Sequence, residues 1–375
     1  MRTLMICNSF KGKLVLLALA LAVLCMGCSG GDDSTTSEQS EQGGDFTQTP
    51  EGDMKERIEN LKLLLPEEIY NTITDKSREN PACIEGNRDQ LGLPDEPNGQ
   101  WYYTYENLIK GMAELEEFAN KKYDENTRKL EIAAFLANIA QETGAKVVGD
   151  AFGSPGCAIQ EGYGAEAAWH SCAFGVRSDV VGSDWGCNKT RPFKCPKMDP
   201  GPPEILPVCP DGEVGYFGRG PHQLTYDTNY EAFGVTMGVG DKYLKNPDLL
   251  TTDPNIGISG SIWFWGHEER TDSSPPQIPF KPSAHNVVVG EWIPTDSSTP
   301  GVRTSNDVRC GRTKANFGVI INLINGGVEC GKATQEAKNR VEYLVAIAEA
   351  MGVTIPDGFL DNCSTQENFS VCPSY

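Results

Sequence analysis

The sequence predicts a mainly α-helical domain with long loops between its helices, on three observations. Apolar residues recur at helical spacing in several windows, most clearly at Leu130, Ile132, Phe135, Leu136 and Ile139, which form one stripe at about 100° per residue. Alternating apolar and polar runs of the kind a half-buried strand needs are few. Residues 145–215 are rich in Gly and Pro and hold five of the ten Cys that follow Cys28, the composition of loops held by disulfides.

The elements follow in chain order. Arg2, Lys11 and Lys13 precede an apolar run over 14–24, with small residues at Gly27 and Ser29, so residues 1–28 read as a signal peptide. The run is too short to span a membrane comfortably. The segment from Cys25 to Asp33 resembles a bacterial lipoprotein processing site with Cys28 as the lipidated residue, although Cys25 stands where such sites usually carry Leu. Simple secretion is the alternative, and both imply export to the extracellular space or cell surface. Residues 29–53 carry seven acidic and no basic residues and are predicted to be a disordered acidic tether, with the folded domain spanning 54–375. Helical spacing occurs over 54–73, 102–119 and 127–141, and again around 229–233, over 256–265, 317–324 and 335–351.

Composition narrows the function. The formal charge is −20, and residues 1–28 hold three cations and no anions, so export makes the chain more acidic still. That argues against a nucleic-acid partner. The ten Cys beyond Cys28 are an even number, suited to as many as five disulfides in an oxidising compartment. With four His in all, and no Cys-x-x-Cys followed by a matching pair, no metal or other cofactor is expected.

Glu142 marks the chemistry. It falls on the shoulder of the apolar stripe, seven positions after Phe135 and four after Asn138. A carboxylate there is half desolvated, which favours its protonated form. The plainer alternative is a last-turn Glu that bends out to water.

Further stretches bear on the choice: Tyr103-Thr-Tyr105; Glu131-Ile-Ala-Ala-Phe-Leu-Ala137, which runs on to Glu142-Thr143; Tyr216-Phe-Gly-Arg-Gly-Pro-His-Gln-Leu-Thr225; Asn246-Pro-Asp-Leu249; Trp263-Phe-Trp265; Lys281-Pro-Ser283; and Ile324-Asn-Gly-Gly-Val-Glu-Cys-Gly331. In this order they resemble the strings of glycoside hydrolase family 19, the chitinases with a lysozyme-like, bilobal α-helical fold, over roughly residues 60–367. The resemblance implies roles. Glu142 matches the general acid, although Gln141 stands where the family has His. Gln223, Thr225 and Asn229 match positions that hold the sugar and the attacking water, Thr225 replacing the usual Ser and keeping its hydroxyl. Asn325 matches a substrate-contacting Asn, and Lys281, Glu329 and Arg340 match polar residues lining the cleft. Cys330 and Cys363 match the family's C-terminal disulfide. The general base lies about twenty residues after the acid in a Gln-Glu-like string, which Glu161 supplies at nineteen, with Glu166 as its rival at twenty-four.

Glycoside hydrolysis needs one carboxyl protonated and the other ionised, so their environments must differ. Glu142 at the end of an apolar helix and Glu161 in a polar loop meet those conditions. A base acting through water on the opposite face of the sugar stands about 6.5–9.5 Å from the acid and inverts the product. Trp169 and Trp185 lie in the loop region where sugars could stack, or they form small loop cores, whereas Trp263 and Trp265 belong to the domain core. The expected protein is a monomeric, endo-acting chitinase on β-1,4-linked N-acetylglucosamine. The alternatives are a peptidoglycan-cleaving hydrolase of the same fold and a carbohydrate-binding relative without catalysis.

Overall fold

Eleven helices and one two-stranded antiparallel sheet make up the described residues of the computed structural model, which are 46–79, 102–143, 218–225, 227–270, 279–296 and 307–369. The mainly α class holds. The helix expected over 54–73 is divided by Pro66 into α1 (Met54–Leu64) and α2 (Glu67–Glu79), because proline lacks the N–H a helix interior needs. The one expected over 102–119 shortens to α3 (Tyr105–Ala113), opened by Thr104, whose hydroxyl accepts the Asn107 N–H at 3.1 Å. The longest helix, α4 (Glu125–Thr143), starts where Asp124 accepts the Thr127 N–H at 3.0 Å and the Thr127 hydroxyl at 2.6 Å.

Four helices follow: α5 (Asp227–Thr236), α6 (Lys242–Lys245), α7 (Leu249–Thr252) and α8 (Pro254–Gly266). Asp253 caps α8, and Pro254 occupies its first turn, where a missing N–H is harmless. Strand β1 (Glu269–Arg270) pairs with β2 (Pro279–Lys281), placing Lys281 opposite Glu269. Ser283 then caps the short α9 (Ala284–Val288). The last two helices are α10 (Phe317–Glu329), capped by Asn316, and α11 (Gln335–Ala350), capped by Thr334. The sequence reading has no counterpart for the sheet, α6, α7 and α9, which are too short to show a period.

One continuous apolar core runs through these helices, with α4 packed along α11 and α3 along α8. Trp263 and Trp265 lie within it. The α3–α8 crossing is close because Gly111 of α3 faces Ile258 of α8, where a methyl group would collide with the isoleucine side chain. On α8, a methyl group on Gly257 would collide with the Tyr102 hydroxyl and with the Leu250 carbonyl of α7, which are hydrogen-bonded to each other at 2.5 Å.

The acidic tether expected through residue 53 ends earlier. Phe46, the first described residue, is buried, its ring against Gly266 and 4.9 Å from the His285 ring. The Thr49 N–H donates to the Glu114 carbonyl at 2.8 Å, and Gln48 forms a β-bridge with Leu115. One aromatic residue anchors an otherwise polar run, and composition averaged along the run conceals it.

A charged group also sits inside the apolar stripe of α4. Glu131 is fully buried, and its carboxylate accepts the Ala119 N–H at 2.8 Å and the Trp265 indole N–H at 3.1 Å, while His285 Nδ1 lies 2.6 Å away. These partners replace the water it has lost. Nearby, the buried His222 ring stacks on Trp265 and meets the edge of Phe135 with centroids 4.8 Å apart.

Two predictions follow from this packing. Gly257→Ala should cost about 1–3 kcal/mol in urea unfolding, the usual penalty of overpacking; an unchanged midpoint would mean that the helices can separate freely. Burial, reinforced by the charge of Arg340 and opposed by the Ser261 carbonyl, pushes the pKa of His222 down from 6.5 to about 3. The unfolded chain therefore binds this proton first, so stability should fall as pH drops from 6.5 toward 3, by at most about 1.4 kcal/mol per unit from this group. His222→Phe should flatten that part of the profile, and an equally steep profile in the variant would assign it to other groups.

Candidate active site

The site is built where the last turn of α4 faces α11. Glu142 lies one residue before the end of α4, and its side chain keeps 18% exposure. Across from it, Arg340 of α11 is 1% exposed. The Glu142 carboxylate accepts from Arg340 Nη2, so the apolar stripe leads to an ion pair rather than to an apolar pocket alone. The same guanidinium donates from Nε and Nη2 to the two carboxylate oxygens of Glu329, at 2.9 and 2.7 Å, and from Nη1 to Asn138 Oδ1 at 3.0 Å. Glu329 is 1% exposed.

Each position has a local cause. Asn138 stands one turn before Glu142, and its amide donates to the Ala134 carbonyl at 2.8 Å, which leaves its oxygen facing the arginine. Helix α10 is broken at Asn325 (φ −142°, ψ 33°), just ahead of Gly326 and Gly327, both poor helix formers. The single turn after the break carries Glu329 to Arg340, and Asn325 Nδ2 donates to Glu329 Oε1 at 2.9 Å. Cys330, the next residue, is disulfide-bonded to Cys363 and pins the end of that turn.

Burial alone would lower the pKa of Arg340, but Glu142 and Glu329 outweigh it and hold the pKa above the ordinary value. The guanidinium therefore stays a fixed cation. One positive charge faces two carboxylates, so the cluster is neutral when one of them carries a proton.

Gln223, Thr225 and Asn229 form a second group. Gln223 has a left-handed backbone (φ +52°), and its amide donates to the Gly220 carbonyl at 2.8 Å. The Thr225 hydroxyl donates to the Gln223 carbonyl, and the Asn229 amide to the Thr225 carbonyl, both at 2.8 Å. The buried Gln223 Oε1 accepts no hydrogen bond from the described residues. This loop rests on α4 through His222 and Phe135, two turns before Glu142. Lys281, on β2, is half-buried. Thus Glu142, Asn325, Glu329 and Arg340 come together in one cluster, and Gln223, Thr225 and Asn229 in another. Glu161, Glu166, Trp169, Trp185 and Cys28 lie outside the described residues. Among the described residues, no group of three His, Cys, Asp or Glu side chains is placed to hold a metal ion.

The sequence reading missed Asn138 and Asn339 as parts of the cluster's surroundings. A signal existed for Asn138, a lone amide on an apolar face four residues before the carboxylate.

A family profile described as "Chitinase class I" matches residues 203–362. Endochitinase 2 of Gossypium hirsutum is 34% identical over 269 residues, 72% of each chain. The chain belongs to the class I chitinase family, glycoside hydrolase family 19. Endochitinase 1 of Theobroma cacao is another such relative, 34% identical over 276 residues, covering 73% of this chain and 68% of its own. The crystal structure of chitinase C from Streptomyces griseus HUT6037 aligns with a TM-score of 0.44 and 22% identity, over 82% of this chain and 96% of its own.

For this family member, Arg340→Met should destabilise the fold by about 3–5 kcal/mol in urea unfolding, because it strands a buried carboxylate. Arg340→Lys should recover only part of that loss, since an ammonium cannot reproduce the planar fork. Equal stability of the methionine variant and the parent would show that the cluster contributes little to the fold.

Proposed function

We propose that this protein is an endo-acting chitinase that hydrolyses the β-1,4 linkages of N-acetylglucosamine polymers with inversion, working as an exported monomer that is lipid-anchored through Cys28. The observation that carries the reading is the partly exposed Glu142 bound to a buried arginine that also holds Glu329, in a chain of this family.

Glu142 is the general acid. Its proton passes to the departing glycosidic oxygen as the sugar acquires oxocarbenium character. The carboxylate left behind sits beside the fixed charge of Arg340, which meets the new negative charge without rearrangement. Arg340 also holds the buried Glu329, which fixes the guanidinium in place beside the acid. Glu161, with Glu166 as the alternative, is the base that draws a proton from water on the opposite face. Gln223, Thr225 and Asn229 supply oxygens and amide hydrogens for the water and sugar, and Asn325 and Lys281 line the substrate path.

The test is to assay the mature protein and Glu142→Gln on chitin oligomers and on purified peptidoglycan. Turnover of chitin oligomers should fall about 100- to 10,000-fold in the variant, the range for loss of a general acid. Freshly formed sugar ends should be α anomers by proton NMR. Activity on peptidoglycan alone would move the protein to that substrate, and activity on neither would sink the enzymatic reading. Glu161→Gln should abolish turnover while Glu166→Gln does not; the reverse result would exchange their roles.

A further inference from the structure

We infer that Gln141 is a positioning residue for Glu142, held by a ladder of uncharged amides that runs beside the arginine cluster. The inference rests on the reading of Glu142 as the proton donor. Two consecutive residues of α4 reach two consecutive residues of α11: Glu142 meets Arg340, and Gln141 Oε1 accepts from Asn339 Nδ2 at 3.3 Å. The ladder continues outward, as Gln335 Nε2 donates to Asn339 Oδ1 at 2.9 Å. Asn339 thus donates on one side and accepts on the other, and the carbonyl of Gln141 is turned toward α11.

Two physical needs meet here. Glu142 stands in the last turn of α4, where backbone carbonyls lack partners within the helix and the turn frays unless something outside holds it. The Thr143 hydroxyl donates back to the Ile139 carbonyl one turn earlier, at 2.7 Å, which is one restraint on this turn. The ion pair to Arg340 is a second restraint, but its strength changes whenever Glu142 gains or loses a proton. An amide bond does not change with the charge on its neighbour. The Gln141–Asn339 link therefore holds the turn in register through both halves of the catalytic cycle, and it adds no titrating group beside the acid.

Steady-state kinetics on chitin oligomers test this. Gln141→Leu and Asn339→Leu should each lower kcat about tenfold with KM unchanged, the cost of a slightly misplaced acid. The double variant should be no slower than either single one, because both remove the same link. Gln141→His supplies a neutral ring nitrogen that can accept from Asn339 and a charged ring that cannot. Its kcat should match the parent at high pH and fall about tenfold as pH drops through the histidine range near 6.5, in protein that circular dichroism shows to be folded throughout. A raised KM with unchanged kcat would overturn the inference and place Gln141 on the substrate. Unchanged kcat in the leucine variants, additive losses in the double variant, or a Gln141→His profile parallel to the parent would overturn it while leaving the chitinase reading intact. A parent without turnover on chitin oligomers would sink both.

Discussion

A guanidinium buried between α4, α10 and α11 has to be met by negative charge and by acceptors in its own plane, and the architecture around the cluster follows from that need. Taking charged groups out of water costs several kcal/mol each, and an apolar cluster of similar volume is often at least as stable. Arg340 is tolerated because its fork is filled: two donors face Glu329, one of these also serves Glu142, and Nη1 serves Asn138. Glu329 can lie flat against that fork only because α10 breaks at Asn325 and restarts for one turn. The bond between Cys330 and Cys363 keeps that turn from drifting. Stability alone does not account for placing these charges together.

Helix α4 carries two glutamates with opposite fates. Glu131 is sealed in, its oxygens taken by an indole, a backbone N–H and His285. Glu142, three turns later, keeps an open edge. Both lie among apolar residues in the sequence, and residue type cannot separate them. What separates them is the element packed outside: α8 and α9 cover the first, while the second meets α11 at the helix end.

Much of the fold was legible because it depends on period. The stripe on α4 and the helical spacing over 256–265, 317–324 and 335–351 show in the order of residues. The order of the motifs identified the family, and it brought Glu142, Glu329 and Arg340 into one discussion before any geometry was known. What stayed hidden depends on contacts between distant segments. Lys281-Pro-Ser283 read as a family string with Lys281 in the cleft, yet Ser283 caps α9 and His285, two residues on, serves Glu131 inside the core. No local pattern shows that His285 and Glu131, 154 positions apart, share a proton-bearing contact. Nor does the chemistry of an isolated glutamate reveal that its partner is an arginine two hundred residues downstream.

The burial of Phe46 also bears on how this enzyme can be handled. Composition alone would start the domain at Met54, and a chain begun there would lack the ring that lies on Gly266 and against His285. Water would then enter a notch beside the Glu131–His285 pair, wetting a contact that the intact protein keeps dry. Residues 46–53 are therefore part of the folded body, and a protease that trims the chain there opens the core.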